Sequence, residues 1–184
     1  MDEVEVINKH QKVFNGTLYM IKSNNFKPSD PSGKEGRYSG EGTKAYYFGD
    51  DPMTCWREIK NRDPMATYDD YRAWKIPILG TFVDVGAVEG TKYLQPNGAG
   101  GNEPTQALSN CLTQNNILGF RYASQPAFAQ GTSGTCFCIY QSIKRLGQEE
   151  FNLVPWNPGE QEQEKPLLPT PPNRTRGMNP NSDT

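Results

Sequence analysis

Histidine is almost absent from this chain of 184 residues, and its scarcity restricts the chemistry that the protein can perform. The single histidine, His10, lies in a polar amino-terminal stretch ahead of the first expected strand. Ser-His-Asp triads, Cys-His pairs, histidine-ligated zinc and histidine general bases all need this side chain at the active site. Any catalysis must therefore use carboxylate, arginine, tyrosine and serine side chains.

The chain also lacks an excess of positive charge and a long apolar run. Its 19 basic and 21 acidic residues give a net charge of -2, so no summed positive field attracts nucleic acid or anionic lipid. No window approaches the roughly 18 apolar residues of a membrane helix, and the first residues resemble no signal peptide. We therefore expect no direct nucleic-acid partner, no membrane partner and synthesis in the cytosol.

A zinc-type cysteine pattern is missing as well. The four cysteines, Cys55, Cys111, Cys136 and Cys138, do not form the paired short spacings of a zinc site. Cys136 and Cys138 alternate with apolar residues, so a strand would place both sulfurs on one face. We predict buried free thiols and no metal site.

Composition indicates one folded domain with irregular segments. Only 34% of the residues are hydrophobic, and 18 glycines and 15 prolines favour loops. A core of about 100–150 residues is stable alone. We predict an amino-terminal extension over residues 1–12, one domain over 13–147, and a proline-rich, mostly disordered tail over 148–184.

The first half of the domain predicts two strands and one helix. Residues 13–21 are rich in β-branched and aromatic side chains and predict a strand. Residues 22–44 form a long polar loop, which we expect to be the rim of an active site. A short strand over 44–49 precedes a helix over about 52–62, which starts at an Asp-Asp-Pro sequence that is typical of a capped helix.

The second half adds strands more than helices. Residues 71–88 predict two strands or one bent strand, broken near a proline and a glycine. A helix is expected over 104–116, and strands over 117–124 and 135–140. The order of elements predicts an α+β fold with a mixed β-sheet core and few helices, rather than a doubly wound parallel sheet.

Four short motifs hold the residues suited to recognition or catalysis. They are Gly36-Arg37-Tyr38-Ser39-Gly40, Ala45-Tyr46-Tyr47-Phe48, Trp56-Arg57-Glu58 and Gly119-Phe120-Arg121-Tyr122-Ala123-Ser124. In this order they resemble the RES domain, a family named for its Arg, Glu and Ser. The resemblance covers about Phe14 to Tyr140.

The resemblance implies both a fold and an activity. RES domains are similar in fold to ADP-ribosyltransferase toxins, and family members deplete NAD by hydrolysis or phosphorolysis. The chain would then be a bacterial toxin, an NAD glycohydrolase or NAD phosphorylase restrained by a cognate antitoxin or immunity protein. It would act in the cytoplasm of the producer, or of a target cell after delivery. NAD would be the substrate, and no cofactor is implied.

Carried over by position, the family's site residues are Arg37, Tyr38, Tyr47, Glu58 and Ser124. Arg37, Tyr47, Glu58 and Ser124 would be catalytic, and Arg37, Tyr38, Tyr47 and Ser124 would bind NAD. Each role is chemically reasonable. Glu58 can offset positive charge on a ribose, the planar fork of Arg37 can grip a pyrophosphate, and the tyrosines can stack on nicotinamide. Without a histidine to activate it, Ser124 is not expected to be a nucleophile.

Each of these residues also has an ordinary structural explanation. An arginine in a Gly-rich turn is usually solvated, and Tyr47 in a short strand can be part of the core. Glu58 can pair with Arg62 on the helix surface, and Ser124 can begin a turn before a proline.

The chain departs from the family pattern at two positions. Arginines that the family often carries are absent after the opening of the first strand, at Tyr19-Met20-Ile21, and after the serine, at Gln125-Pro126. Arg121 and Arg57 are possible substitutes, and their orientation is open.

Two other functions remain open at this point. One is a protein ADP-ribosyltransferase toxin on the same fold, although Trp56 and Arg57 before Glu58 provide no acidic or amide group to orient an acceptor. The other is a non-catalytic binding module whose proline-rich tail recruits a partner.

Overall fold

The computed structural model of the protein describes residues 2–32, 43–87 and 103–159. Within these ranges the helices are α1 (Glu3–His10), α2 (Pro52–Arg62), α3 (Glu103–Gln114) and α4 (Gln125–Ala129). The strands there are β1 (Gln11–Ser23), β2 (Ala45–Gly49), β3 (Tyr71–Asp84), β4 (Gly119–Ala123), β5 (Thr135–Tyr140) and β6 (Asn152–Val154). Short 3₁₀ turns occupy Tyr68–Asp70, Val85–Ala87 and Gln148–Glu150.

The strands pair in a mixed sheet that closes on itself. The hydrogen-bonded order is β1-β2-β5-β4-β3-β6, and β1 also pairs with β3. The long β1–β3 ribbon runs from the Gln11–Val83 pair to the Ser23–Tyr71 pair. β3 and β4 are parallel, whereas the other pairs are antiparallel. The region 71–84 is thus one continuous strand, which decides between the two alternatives that the sequence left open.

Alternation along the strands separates an inner from an outer set of apolar side chains. The inner cluster is Leu18, Met20, Tyr46, Phe48, Ile76, Ile78, Phe82, Phe137, Ile139, Leu146 and Phe151. One outer cluster lies beneath α1 and α3 and consists of Val6, Ile7, Ala45, Val83, Val85, Leu108, Leu112, Ile117, Phe120, Cys138 and Tyr140. A second lies beneath α2 and consists of Ile21, Cys55, Trp56, Ile59, Ala66 and Ala73. The helices therefore cover the outer face of the closed sheet.

The ordered fold extends beyond both predicted boundaries. The predicted extension 1–12 contains α1, which begins with a capping box between Asp2 and Glu5 and buries Val6 and Ile7 against the outer cluster. Beyond residue 147, β6 pairs with β3. Ordered structure thus continues past the predicted start of the tail. Residues 160–184, most of that predicted tail, lie outside the described residues.

None of the helices in the described ranges has the length and apolar character that a membrane span requires.

Gly119 in β4 is required by the close approach of β5. A Cβ added there would overlap the backbone carbonyl oxygen of Cys138, so the paired strands would have to separate. We expect Gly119→Ala to lower the free energy of unfolding by about 3 kcal/mol. At Gly86 the nearest atom to an added Cβ is a side-chain oxygen of Asp84 at 3.5 Å, an ordinary contact. Gly86→Ala is the control and should change stability by less than about 0.5 kcal/mol. Equal urea midpoints for the two variants would contradict the prediction.

Candidate active site

The carboxylate of Glu58 and the hydroxyl of Ser124 meet on the outer face of the sheet. Glu58 lies on α2, and Ser124 follows the last residue of β4. The Ser124 hydroxyl donates a hydrogen bond of 2.7 Å to Oε1 of Glu58, joining positions 66 residues apart. Ser124 is 1% exposed, whereas Glu58 is half-buried. Two of the predicted site residues are therefore in direct contact.

Ser124 is also the N-cap residue of α4. Its Oγ accepts a hydrogen bond of 3.3 Å from the backbone N–H of Ala127. A serine is a favoured residue at this position because its oxygen satisfies a free amide in the first turn. The interpretation of Ser124 as the start of a turn and its interpretation as a site residue thus both apply. Its proton points to Glu58 and its lone pair to the helix.

Cys136 in β5 is a second donor to the same carboxylate oxygen. Its thiol lies 3.4 Å from Oε1 of Glu58 and is buried. Burial raises the pKa of the Cys136 thiol far above its usual range, and the charge of Glu58 raises it further. The sulfur is therefore a neutral S–H donor at physiological pH. Within residues 2–32, 43–87 and 103–159 no donor contacts the other oxygen, Oε2.

Two tyrosines share the sheet face of this carboxylate. Residues opposite each other on antiparallel strands project their side chains to the same side. Tyr122 in β4 is opposite Cys136, and Tyr47 in β2 is opposite Cys138. Since Cys136 and Cys138 alternate with one intervening residue, all four side chains lie on one face. Both tyrosines are half-buried and pack against the outer cluster beneath α1 and α3.

Tyr122 and Cys136 were not among the predicted site residues. The sequence could have indicated Tyr122, because it lies two residues before Ser124 in a predicted strand. Residues two apart in a strand project to the same face, so Tyr122 and Ser124 are expected on one side of the sheet. Cys136 could have been indicated by its alternation with Cys138, which predicted that both sulfurs lie on one face of the strand. The structure confirms that shared face. The sequence alone did not indicate that Glu58 of α2 would lie against it.

Neither Arg121 nor Arg57 replaces the missing family arginines in the geometry of this site. The Arg121 guanidinium binds Oδ2 of Asp84, at 2.9 Å from Nη2 and 3.2 Å from Nε. As the neighbour of Tyr122 in β4, Arg121 projects to the opposite face of the sheet. Arg57 Nε donates to the side-chain oxygen of Gln130 at 2.9 Å and thereby joins α2 to the end of α4.

The alternative explanation of Glu58, a surface ion pair with Arg62, does not apply, because these two residues are joined by a backbone contact instead. Arg62 Nε donates to the backbone carbonyl of Glu58 at 3.4 Å. The carboxylate is turned instead toward Ser124 and Cys136. Arg37 and Tyr38, the remaining predicted site residues, lie outside the described residues, and their roles stay predictions.

Cysteines and acidic residues form no metal cluster in the described part of the chain. Cys55, Cys136 and Cys138 are buried free thiols, and Cys111 is half-buried.

At the far end of β2 and β5, a polar groove of about 780 Å³ lies along α3. Lys44 and Arg145 are the charged residues among its lining side chains, which do not include Glu58 or Ser124.

The amino terminus of α2 is fixed by Asp51, seven residues before Glu58. Oδ1 of Asp51 accepts from the backbone N–H of Thr54 at 2.7 Å, and Pro52 follows the cap. We expect Asp51→Ala to lower the free energy of unfolding by about 1 kcal/mol, because the backbone N–H of the buried Thr54 loses its acceptor. Asp51→Asn keeps the acceptor and should stay close to wild type. Thermal unfolding measures both, and equal losses in the two variants would show that the acceptor for the Thr54 N–H is not what stabilises the start of α2.

The structure is thus an α+β domain in which the Glu58 carboxylate and its donors lie on the outer face of the sheet. The sequence matches the RES domain over residues 17–167, and the chain therefore belongs to the RES domain family. A chain in the crystal structure of the M. tuberculosis MbcT–MbcA toxin–antitoxin complex has a similar structure, with a TM-score of 0.58 and 15% sequence identity. The match covers 83% of this chain and 88% of that chain. No curated protein matches the sequence.

The predicted fold class is confirmed by these findings. The fold is α+β, with a mixed sheet core and few helices, and resembles the ADP-ribosyltransferase toxin fold. The predicted resemblance to the RES family is confirmed as well.

Proposed function

We propose that this protein is a toxin that depletes NAD by cleaving the bond between nicotinamide and ribose. The observation that carries the proposal is the carboxylate of Glu58, which receives the Ser124 hydroxyl and the Cys136 thiol on one oxygen. Its other oxygen has no donor among the described residues and is the atom assigned to the substrate.

The chemistry requires a fixed negative charge more than a proton donor. Cleavage of the C–N bond develops positive charge on the ribose, as in glycoside hydrolysis. A carboxylate held in place beforehand stabilises that charge without having to reorganise during the reaction. The leaving group is a pyridinium in the ground state and departs as neutral nicotinamide. The reaction therefore needs no general acid, which agrees with the absence of histidine from the Glu58 contacts.

Aromatic and cationic side chains complete the proposed substrate site. Tyr47 and Tyr122, on the same sheet face as Cys136, are assigned to the nicotinamide ring and its ribose. Arg37 and Tyr38 are assigned to NAD binding, with the Arg37 fork on a pyrophosphate oxygen. Ser124 positions the carboxylate in this scheme.

The acceptor is proposed to be water or inorganic phosphate rather than a protein side chain. Transferases of this fold often place an acidic or amide residue close before the catalytic glutamate, where it orients the acceptor. Here Trp56 is buried and packs edge-on against Tyr68 and Tyr71, with ring centroids 5.5 and 5.6 Å apart. Arg57 is engaged with Gln130. Neither residue is placed to hold a protein acceptor at Glu58.

A partner that restrains the activity is part of the proposal. A cytoplasmic enzyme that consumes NAD damages the cell that makes it unless it is neutralised. The structurally similar chain belongs to a toxin–antitoxin complex. We assign to this chain an antitoxin or immunity protein as partner, with the cytoplasm of the producer or of a target cell as the place of action.

The decisive experiment is incubation of the purified full-length chain with NAD in phosphate and in phosphate-free buffer. Chromatography should show release of nicotinamide. ADP-ribose is the second product if water attacks C1 of the ribose, and a phosphorylated ADP-ribose if phosphate does. Labelled NAD appearing on a protein band would instead indicate a transferase. Intact NAD after hours with stoichiometric protein in both buffers would refute the proposal.

A further inference from the structure

We propose that Cys136 is a positioning residue that fixes the orientation of the Glu58 carboxylate through its thiol. The inference rests on the proposed function for its kinetic consequence, and on the geometry alone for the interaction itself. Cys136 Sγ and Ser124 Oγ lie 3.4 Å and 2.7 Å from the same oxygen, Oε1. Two donors to Oε1 fix the plane of the Glu58 carboxylate, whereas a single donor would leave the carboxylate free to rotate about the bond to its side chain.

The three elements that meet at this oxygen explain why a second donor is needed. Glu58 is a flexible side chain on α2, Ser124 follows β4, and Cys136 lies near the start of β5. β4 and β5 are hydrogen-bonded neighbours in the sheet, so the two donors are fixed relative to each other. A side chain with three rotatable bonds samples several rotamers, and a rigid pair of donors favours the one rotamer that contacts both. The sheet thereby sets the position of a charge that belongs to a helix.

The thiol is suited to donate and unsuited to react. Cys136 is 3% exposed, and the carboxylate beside it opposes ionisation of the sulfur. A neutral buried thiol is a weak donor and a poor nucleophile. The role inferred for Cys136 is therefore not covalent catalysis but orientation of Glu58, with Oε2 left toward the substrate.

The first test compares kcat and KM for NAD cleavage in four variants of the full-length chain. Cys136→Ala and Cys136→Val, which lack a donor, should lower kcat about tenfold with KM nearly unchanged, since a charge-assisted hydrogen bond is lost. Cys136→Ser restores a donor and should recover most of the activity. Cys111→Ala is the thiol control, because Cys111 lies on α3 and its sulfur accepts a hydrogen bond from Asn115 rather than contacting Glu58. Equal kcat values for the Ala, Val and Ser variants, or an equal loss in Cys111→Ala, would overturn the proposal.

The second test does not depend on NAD cleavage, so it separates this proposal from the proposed function. Urea midpoints are measured for Cys136→Ala, Glu58→Ala and the double variant. If the thiol binds the carboxylate, the midpoint shift caused by Cys136→Ala should be different with and without Glu58. The corresponding cycle with Cys111→Ala should be additive, because the Cys111 sulfur contacts Asn115 on α3 and not Glu58. Additive shifts in the Cys136 cycle would refute the interaction even if the wild-type enzyme consumes NAD.

Discussion

Replacing Glu58 with glutamine is expected to lower kcat for NAD cleavage by about 10³-fold while KM stays within a few-fold of wild type. Glutamine preserves the length and shape of the side chain, and its carbonyl oxygen can still accept from Ser124 and Cys136. What it removes is the negative charge that would face the ribose as positive charge develops there. Since the loss occurs mainly in the transition state, it appears in kcat rather than in substrate affinity.

The measurement is release of nicotinamide by the purified variant, together with its thermal unfolding. A Tm close to wild type shows that the loss is chemical. Glu149→Gln is the matched control, since Glu149 is exposed in the 3₁₀ turn Gln148–Glu150. It should retain full activity. A Glu58→Gln enzyme that keeps most of its kcat would show that the carboxylate does not stabilise the transition state.

The elements predicted with the correct position are those with clear ends or clear alternation. The α2 helix begins and ends as predicted, because Asp51 caps it and Pro52 fits its first turn. The β2 and β5 strands were visible because aromatic and apolar residues fill both of their faces, as in a buried strand. Local sequence therefore sufficed where an element combines a clear start with enough length, or where apolar residues fill both faces of a strand.

The elements that were missed are short or bury few side chains. The α4 helix has five residues, too few for helical periodicity to show. The three residues of β6 are held by backbone pairing with β3, which leaves no pattern in their side chains. The α1 helix was hidden in a polar stretch, because only Val6 and Ile7 of its residues are buried. Hydrophobic periodicity is a weak guide when so few side chains enter the core.

The site was predicted through family resemblance more than through spacing. Nothing local indicates that Glu58 and Ser124 meet, because that contact depends on how α2 packs across the sheet. The positions of Arg121 and Arg57 were open for the same reason. Once the register of β4 is known, alternation alone places Arg121 with Asp84 and away from Tyr122. The sequence could thus propose which residues belong to the site. Which residues they contact could be seen only in the folded structure.

Ser124→Ala should lower kcat roughly 10- to 100-fold, the second-largest loss expected in this protein. The hydroxyl donates to a charged oxygen, and a hydrogen bond of that kind contributes about 1.5–3 kcal/mol. The same substitution removes the cap of α4, so lower stability alone could also reduce activity. The two effects have to be separated.

Glycine and threonine at this position separate them. Ser124→Gly loses the donor, but a glycine at a helix cap costs only a few tenths of a kcal/mol, whereas alanine costs about 1 kcal/mol. Ser124→Thr retains both the donor and the cap. If positioning of Glu58 is what matters, the Ala and Gly variants share the same low kcat despite their different Tm values, and the Thr variant keeps most of the activity. If kcat instead follows Tm through the series, Ser124 acts on the reaction only through the stability of α4, and Glu58 is positioned by other contacts.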